Sequence, residues 1–204
     1  MNISELLLKY KTDKNQGTVR NIYNNLDERI VCDNPEPYIG HTYGKSYEKI
    51  FNNFDRFSKL NILEIGIQKG GSLLAWNEYF PNANIYGVDI VDAIIPEYRK
   101  EHIHYIIADV KSEKTTEALK DIEFDIIIDD GSHILYDAMF VVSNYSNKLN
   151  SGGYLIVEDC QHPEHWLNEI KKIVPSQYTI TTEDLRRDIP NVFYPDNFLI
   201  TIKK

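Results

Sequence analysis

The sequence predicts an α/β fold built on a doubly wound, mostly parallel sheet. From residue 60 onward, strand-like runs alternate with helix-like stretches, which is the order of a parallel sheet with crossover helices. Residues 126–133 read Ile-Ile-Ile-Asp-Asp-Gly-Ser-His, an apolar run typical of a strand buried on both faces, followed by a polar turn. Together these observations predict a Rossmann-like sheet of seven strands, with ligand-binding residues at the carboxyl ends of the strands.

The strands are predicted from short apolar runs that are rich in β-branched residues. The first run ends at Gly66, the second at Asp89, the third beside Asp109 and the fourth at Asp129. In order, the predicted strands cover residues 61–65, 84–89, 104–108, 124–129, 154–158, 178–182 and 198–202. The sequence between the last two has no clear helical pattern, so we expect them to form an antiparallel hairpin at one edge.

Helices are predicted between the other strands, because parallel strands need crossover connections. In order, they cover residues 72–80, 96–101, 112–120, 134–149 and 163–174. Pro81 stops the first of them, and Pro163 lies near the start of the last. Ser112 is a predicted N-cap, because its hydroxyl can accept a hydrogen bond from the first helical turn.

The first 58 residues follow a different pattern. Short helices are predicted over residues 3–10 and 43–57, and a polar segment with two prolines joins them. The apolar face of the second helix is formed by Tyr47, Ile50, Phe51 and Phe54. We expect residues 1–58 to form an N-terminal helical cap and a lid segment on a core of residues 59–204, within one domain.

The composition indicates a globular protein with an acidic surface. The 204 residues include 31 acids and 22 Lys or Arg, for a formal charge of −9, which argues against a nucleic-acid partner. Cys32 and Cys160 are interpreted as free thiols in a reducing compartment. The sequence has neither an apolar run of membrane-spanning length nor a signal peptide pattern. We therefore expect a cytoplasmic protein without a membrane partner.

A glycine-rich loop and successive acids predict a nucleoside pocket. The first strand runs into Glu64-Ile65-Gly66, then Gly70, Gly71 and Ser72, where glycines allow close approach of a ligand to the backbone. This spacing differs from the Gly-x-Gly-x-x-Gly pattern of dinucleotide-binding proteins. Asp89 ends the second strand and can accept hydrogen bonds from ribose hydroxyls, and Asp109 follows the third strand, where a base edge could lie.

A second set of acids is predicted to meet at the same edge. Asp130 and His133 follow the fourth strand, and Glu158 and Asp159 end the fifth, its expected neighbour. Converging carboxylates suit a hard divalent cation such as Mg²⁺, with Mn²⁺ or Ca²⁺ as alternatives. Glu158 and Asp159 can share one ion only if the strand has already ended, because adjacent strand residues face opposite sides. His133 is the predicted base, with His162 and His165 as rivals.

The pattern Glu64-x-Gly66-x-x-x-Gly70-Gly71, with Asp89 and Asp109, resembles class I S-adenosylmethionine-dependent methyltransferases. The resemblance implies that Glu64, Gly66, Gly70 and Ser72 hold the methionine part of S-adenosylmethionine. It also implies that Asp89 holds the ribose and Asp109 the adenine. Asp129, nearer the glycine loop than Asp130, is a further candidate for contact with the methionine end.

Longer motifs resemble the metal-dependent sugar O-methyltransferases that tailor macrolide antibiotics. These motifs are Thr12-Asp13-Lys14, His41-x-Tyr43-x-x-x-Tyr47-Glu48, Gly70-Gly71-Ser72-Leu73-x-x-Trp76, Asp130-Gly131-Ser132-His133, and Gly152-Gly153-Tyr154 followed by Glu158-Asp159. The resemblance implies that Asp130, Glu158 and Asp159 hold Mg²⁺ (or Mn²⁺), with His133 as the base. In these enzymes the Asp-Lys and His-x-Tyr motifs lie close together, whereas residues 15–40 separate them here.

The sequence thus predicts a metal-assisted O-methyltransferase that acts on a hydroxyl of a sugar, a glycan or a glycosylated small molecule. The alternatives are a cephalosporin hydroxylase-like oxygenase on the same fold and a non-catalytic nucleoside-binding protein. An oxygenase would be expected to use two histidines and one carboxylate, whereas the predicted cluster is rich in carboxylates. Tyr43, Tyr47 and Trp76 are interpreted first as core and second as pocket residues. A homo-oligomer is left open.

Overall fold

Seven strands form one mixed sheet in the computed structural model, which describes residues 1–15, 41–188 and 195–204. The strands are β1 Asn61–Ile65, β2 Asn84–Asp89, β3 Ile103–Ile107, β4 Phe124–Asp129, β5 Leu149–Val157, β6 Thr179–Asp184 and β7 Phe198–Lys203. Their order in the sheet is β3-β2-β1-β4-β5-β7-β6. The first five strands are parallel, and β7 pairs antiparallel with both β5 and β6. The predicted fold class, including the antiparallel pair at one edge, is confirmed.

Helices cover both faces of this sheet. They are α1 Ile3–Lys9, α2 Gly44–Phe51, α3 Gly71–Tyr79, α4 Glu113–Leu119, α5 Leu135–Tyr145 and α6 Pro163–Ile173. One apolar layer joins the first three helices to Ile126 and Ile128 of β4, whereas Ile127 belongs to the layer under the last three. The apolar run of β4 is thus buried on both faces, as its composition predicts.

Several predicted boundaries differ from the structure. The helix predicted over residues 43–57 ends at Phe51, because the Asn53 side chain donates hydrogen bonds to the Lys49 and Ile50 carbonyls (2.8 and 2.9 Å). The helix predicted over 96–101 is a single 3₁₀ turn, Pro96–Tyr98. The Ser112 cap is confirmed, since its hydroxyl accepts a hydrogen bond from Thr115 N at 3.3 Å.

The largest difference concerns the predicted helix 134–149 and the strand after it. The α-helix ends at Tyr145, a 3₁₀ turn covers Ser146–Lys148, and β5 begins at Leu149. Leu149 pairs with Phe124, and the register then shifts before regular pairing resumes. The glycine-rich stretch near residue 152 therefore lies within this strand and does not precede it. It also interrupts the regular strand, because Gly152 adopts a φ of 81°.

The described part of the N-terminal segment packs directly on the core. Helices α1 and α2 contact each other, and α1 also contacts α3. The predicted lid lies almost wholly outside the described residues. Cys32 also lies outside them. The boundary between residues 1–58 and 59–204 stays a prediction. None of the helices in the described ranges is long and apolar enough to cross a membrane, and the cytoplasmic location stays a prediction.

Candidate active site

A cavity of about 640 Å³ opens at the carboxyl ends of the central strands. Gly66 and Ser72 line it, and so do the three predicted cofactor acids Asp89, Asp109 and Asp129. Residues 10–14, which follow α1, form another part of its wall. The structure thus brings most of the predicted cofactor residues together in one space of the size of a small-molecule site.

The glycine loop is shaped by a close approach to the next strand end. Gly66 has a φ of 82°, and a Cβ atom there would lie 1.9 Å from the carbonyl oxygen of Asp130. Asp89 holds the loop from the other side, because its Oδ2 accepts hydrogen bonds from Ile67 N and Gln68 N (3.0 and 2.8 Å). The loop, the β2 acid and the β4 turn are therefore built against one another.

Glu64 lies in the protein interior and not on the cavity surface. Its side chain is fully buried, and its Oε2 accepts hydrogen bonds from Ser72 Oγ (2.7 Å) and Trp76 Nε1 (2.9 Å). These contacts attach the start of α3 to β1. Gly70 similarly contributes backbone geometry, since it caps α3 with a φ of 84°. Both residues shape the predicted cofactor loop from behind, and Ser72 lines the cavity.

Asp130, His133 and Asp159 form a compact cluster beside this loop. One potential ligand atom from each lies within 4.8 Å of the others. His133 Nε2 lies 3.2 Å from Asp130 Oδ1 and 3.3 Å from Asp159 Oδ2. His133 and Asp159 both have positive φ angles (55° and 56°), which are unusual for residues other than glycine. β5 has ended at Val157, so Asp159 is free of the strand alternation and can turn toward His133.

The cluster carries more negative charge than a buried site holds easily. The hydrogen bond with Asp130, with further attraction from Asp159, raises the pKa of His133 to about 9. Burial and the neighbouring Asp130 raise the pKa values of Asp129 and Asp159 to about 7 each. Carboxylate oxygens beside an imidazole nitrogen are suitable ligands for Mg²⁺ or Mn²⁺. A second imidazole borders the cluster, because His41 Nδ1 lies 3.3 Å from Asp159 Oδ1. Of the two histidines, His133 is the one that belongs to the group whose ligand atoms lie within 4.8 Å of one another.

Glu158, the remaining predicted metal ligand, has other partners. Its Oε2 accepts a hydrogen bond from Lys14 Nζ (2.7 Å), and its Oε1 accepts one from the Tyr47 hydroxyl. Lys14 is buried, and its Nζ also lies 2.6 Å from Asp130 Oδ2 and 3.3 Å from Glu64 Oε1. Burial lowers the pKa of Lys14, but the surrounding carboxylates outweigh this effect and raise it well above its usual value. Of the three predicted ligands, Asp130 and Glu158 therefore contact Lys14, whereas Asp130 and Asp159 contact His133.

The role of Lys14 did not follow from the sequence. A lysine at the edge of a polar segment is usually solvated, and we included Lys14 in the polar segment that joins the two predicted N-terminal helices. The structure corrects this assignment, because residues 10–14 run along the cavity and place Lys14 in the interior. The signal that could have found it was the Thr12-Asp13-Lys14 motif, which we noted without assigning a function to it.

The aromatic residues belong to the core, as their first interpretation predicted. Tyr43, Tyr47 and Trp76 are at most 1% exposed. Two of their polar groups nevertheless reach the acids, because the Tyr43 hydroxyl donates to Asp159 and the Tyr47 hydroxyl to Glu158. The rival histidines, His162 and His165, are exposed at the start of α6. His133, in contrast, lines the cavity.

Curated relatives share sequence with about three fifths of the chain. The 8-demethyl-8-alpha-L-rhamnosyl tetracenomycin-C 2'-O-methyltransferase of Streptomyces olivaceus is 37% identical over 130 residues, 59% of this chain and 34% of that protein. Mycinamicin VI 2''-O-methyltransferase of Micromonospora griseorubida is 29% identical over 133 residues, 58% of this chain and 31% of that protein. This chain therefore spans about a third of the length of these relatives. No family model matches the sequence.

Solved structures of a mycinamycin pathway enzyme have the same architecture. MycE methyltransferase in complex with Mg, SAH and mycinamycin VI has a TM-score of 0.60 and 25% identity, over 81% of this chain and 42% of MycE. A second MycE structure, with Mg and SAH, has a TM-score of 0.67 and 21% identity, over 100% of this chain and 55% of MycE. The chain is a homologue of macrolide- and polyketide-sugar O-methyltransferases. Its fold is that of the class I methyltransferases, as the resemblance implied.

Proposed function

We propose that this chain is an S-adenosylmethionine-dependent O-methyltransferase that requires a divalent metal ion and methylates a sugar hydroxyl of a glycosylated small molecule. The observation that carries this proposal is the position of His133, which lies between two carboxylates and on the wall of the cavity. This arrangement supports a site in which a candidate base, a candidate cation site and a nucleoside-sized space lie side by side. Acyl or hydride transfer would not need this combination.

The cavity supports S-adenosylmethionine as the methyl donor. The glycine loop gives a ligand access to the backbone, and Asp89 and Asp109 provide acceptors for its ribose and adenine groups. Asp129 is the candidate for the methionine end, because it lines the cavity, pairs with Ile65 just before the glycine loop and directly precedes Asp130. The MycE structures contain SAH, the product left by such a donor, within the same fold.

His133 supports proton removal from the acceptor hydroxyl. A base must be neutral to accept a proton, but the hydrogen bond with Asp130 and the attraction of Asp159 raise the pKa of His133 to about 9 and so favour its charged form. We therefore assign Asp130 and Asp159 as ligands of Mg²⁺ or Mn²⁺, and Glu158 as a third ligand by resemblance. When bound, such an ion would orient the acceptor hydroxyl and lower its pKa. With those carboxylates neutralised, His133 can serve as the base.

The acceptor class rests on the relatives. Two of them are named for sugar positions of rhamnosyl tetracenomycin C and mycinamicin VI. We therefore propose a glycosylated natural product as the acceptor. The cytoplasmic site of action that we also propose rests on the sequence pattern alone. No nucleic-acid partner is proposed, because the chain carries a net charge of −9.

The test is transfer of a labelled methyl group from S-adenosylmethionine to 8-demethyl-8-rhamnosyl tetracenomycin C, with Mg²⁺ and with EDTA. We expect activity with Mg²⁺ and its loss in EDTA. His133→Gln should lower kcat by about 10²–10⁴-fold, the usual contribution of a positioned base. His165→Gln is the matched control, because its imidazole is exposed on α6, and it should retain wild-type activity.

Each part of the proposal can fail separately. Full activity in EDTA would contradict the metal requirement, and full activity of His133→Gln would contradict the base. SAH binding with transfer to another hydroxyl compound but not to the glycosylated acceptor would contradict the acceptor class alone. SAH binding without methyl transfer to any acceptor would favour the nucleoside-binding alternative. A product that has gained one oxygen atom instead of a methyl group would favour the oxygenase alternative.

A further inference from the structure

Lys14 occupies a position that resembles a cation site. Its Nζ lies 2.6 Å from Asp130 Oδ2, 2.7 Å from Glu158 Oε2 and 3.3 Å from Glu64 Oε1. The side chain is 2% exposed, so water screens these contacts very little. An ammonium group with carboxylate oxygens on three sides provides much of the charge neutralisation that a metal ion would provide there.

Asp130 connects this position to the candidate metal site. Its Oδ2 faces Lys14, while its Oδ1 faces His133 at 3.2 Å. Glu158 is fully engaged on the Lys14 side, because its other oxygen accepts the Tyr47 hydroxyl. A divalent ion that uses all three predicted carboxylates must therefore share Asp130 with Lys14 and compete with Lys14 for Glu158.

The charge of the whole group leads to the same conclusion. Four carboxylates (Glu64, Asp130, Glu158 and Asp159) contact two cationic side chains, Lys14 and His133, and the His41 imidazole lies 3.3 Å from Asp159 Oδ1. Lys14 is the buried cation of the two, whereas His133 is about one third exposed. Removing the Lys14 charge would make the net charge of this buried group more negative. The carboxylates would then be more available to another cation.

We propose that Lys14 is an internal competitor of the divalent cation for Asp130 and Glu158, so that it weakens metal binding while it stabilises the metal-free protein. This inference rests on the metal requirement of the proposed function. It assigns to Lys14 a positioning role, because the ammonium acts through the two carboxylates. A lysine that merely helped to hold the ligands in place would have the opposite effect on metal affinity.

The experiment measures Mn²⁺ binding by the loss of the free Mn²⁺ signal in electron paramagnetic resonance, at pH 8 and in the presence of SAH. Lys14→Met keeps the length of the side chain and removes its charge. We expect Lys14→Met to bind Mn²⁺ about tenfold more tightly or better, because one unit of repulsion toward a divalent ion is removed at close range. Lys9→Met is the matched control, since Lys9 lies exposed at the end of α1, where it pairs with Glu78. The Mn²⁺ affinity of Lys9→Met should equal that of the wild type.

The second readout is the midpoint of thermal unfolding with and without Mn²⁺. Lys14→Met should unfold at a lower temperature than the wild type without metal, and Mn²⁺ should raise its midpoint by more. If the variant does not fold without metal, recovery of its helical circular dichroism in saturating Mn²⁺ supports the competition, and failure to recover overturns it. Lys14→Arg keeps the charge and should bind Mn²⁺ no more tightly than the wild type.

The results separate this inference from the proposed function. Equal or weaker Mn²⁺ binding by Lys14→Met, beside clear binding by the wild type, overturns the competition and leaves the metal requirement in place. Absence of Mn²⁺ binding in both proteins contradicts the metal requirement itself. Binding by Lys14→Met alone would support the competition in its strongest form.

Discussion

Replacing Gly66 by alanine should damage the site through one steric contact. The new Cβ atom would lie 1.9 Å from the Asp130 carbonyl oxygen. Cβ atoms essentially never lie within 3.0 Å of a heavy atom outside their own and the two neighbouring residues. The loop and the β4 turn must therefore separate by about 1.1 Å, the difference between these two distances. Because Asp130 contacts both Lys14 and His133, this shift disturbs the whole cluster.

Gly152→Ala is a closely matched control for this change. Gly152 has a φ of 81° against 82° for Gly66, but its added Cβ atom would meet nothing within 4 Å. Both variants should lose about 1–2 kcal/mol of unfolding free energy, because alanine is strained at positive φ. Gly66→Ala should lose about 1–3 kcal/mol more from the steric overlap, which makes about 2–5 kcal/mol in total.

The assay is urea unfolding of both variants, together with SAH binding by calorimetry. We expect Gly152→Ala to bind SAH like the wild type. In Gly66→Ala, an altered loop should weaken SAH binding, and a 1 Å displacement at the reacting groups should lower kcat by about 10²-fold. Losses of stability that agree within about 0.5 kcal/mol for the two variants, with unchanged SAH binding, would refute the steric reasoning.

Two further predictions concern local features of the fold. Ser112→Ala should destabilise the protein by about 1 kcal/mol in urea unfolding, because it removes the cap on Thr115 N, whereas Ser151→Ala at an exposed position should change stability by less than about 0.5 kcal/mol. Equal effects of the two changes would argue against the cap. In a Cys32→Ser background, Cys160 should react with Ellman's reagent only after denaturation, because burial raises the pKa of its thiol and hides it from the reagent. Rapid reaction of the folded protein would contradict the buried position.

The strand ends were the most predictable part of the site. Acids that directly follow apolar runs were expected at one sheet edge, and Asp89, Asp109 and Asp129 do line one cavity. The rule succeeds because the carboxyl ends of parallel strands necessarily meet at the same edge. It also brings Asp130 and Asp159 together, although they are separated by a whole crossover helix.

The boundaries around α5 and β5 were less predictable. A glycine pair near residue 152 was expected to precede the strand, but the strand starts at Leu149 and continues through it. Pairing with Phe124 decides this start, and pairing is a contact between distant parts of the chain. Local propensity does not contain that information.

The sequence by itself determined the fold class, the glycine loop and the acids at the strand ends, since each depends on a local pattern. Only the tertiary structure decided the partners of those acids. Lys14 lies 116 residues from Asp130 and 144 from Glu158, yet its ammonium group contacts both. A lysine in a polar segment is ordinarily solvated, so a local pattern gives no reason to place it in the interior. The reason lies in the fold, because packing of α1 against α3 carries residues 10–14 along the cavity, where buried carboxylates require a positive charge.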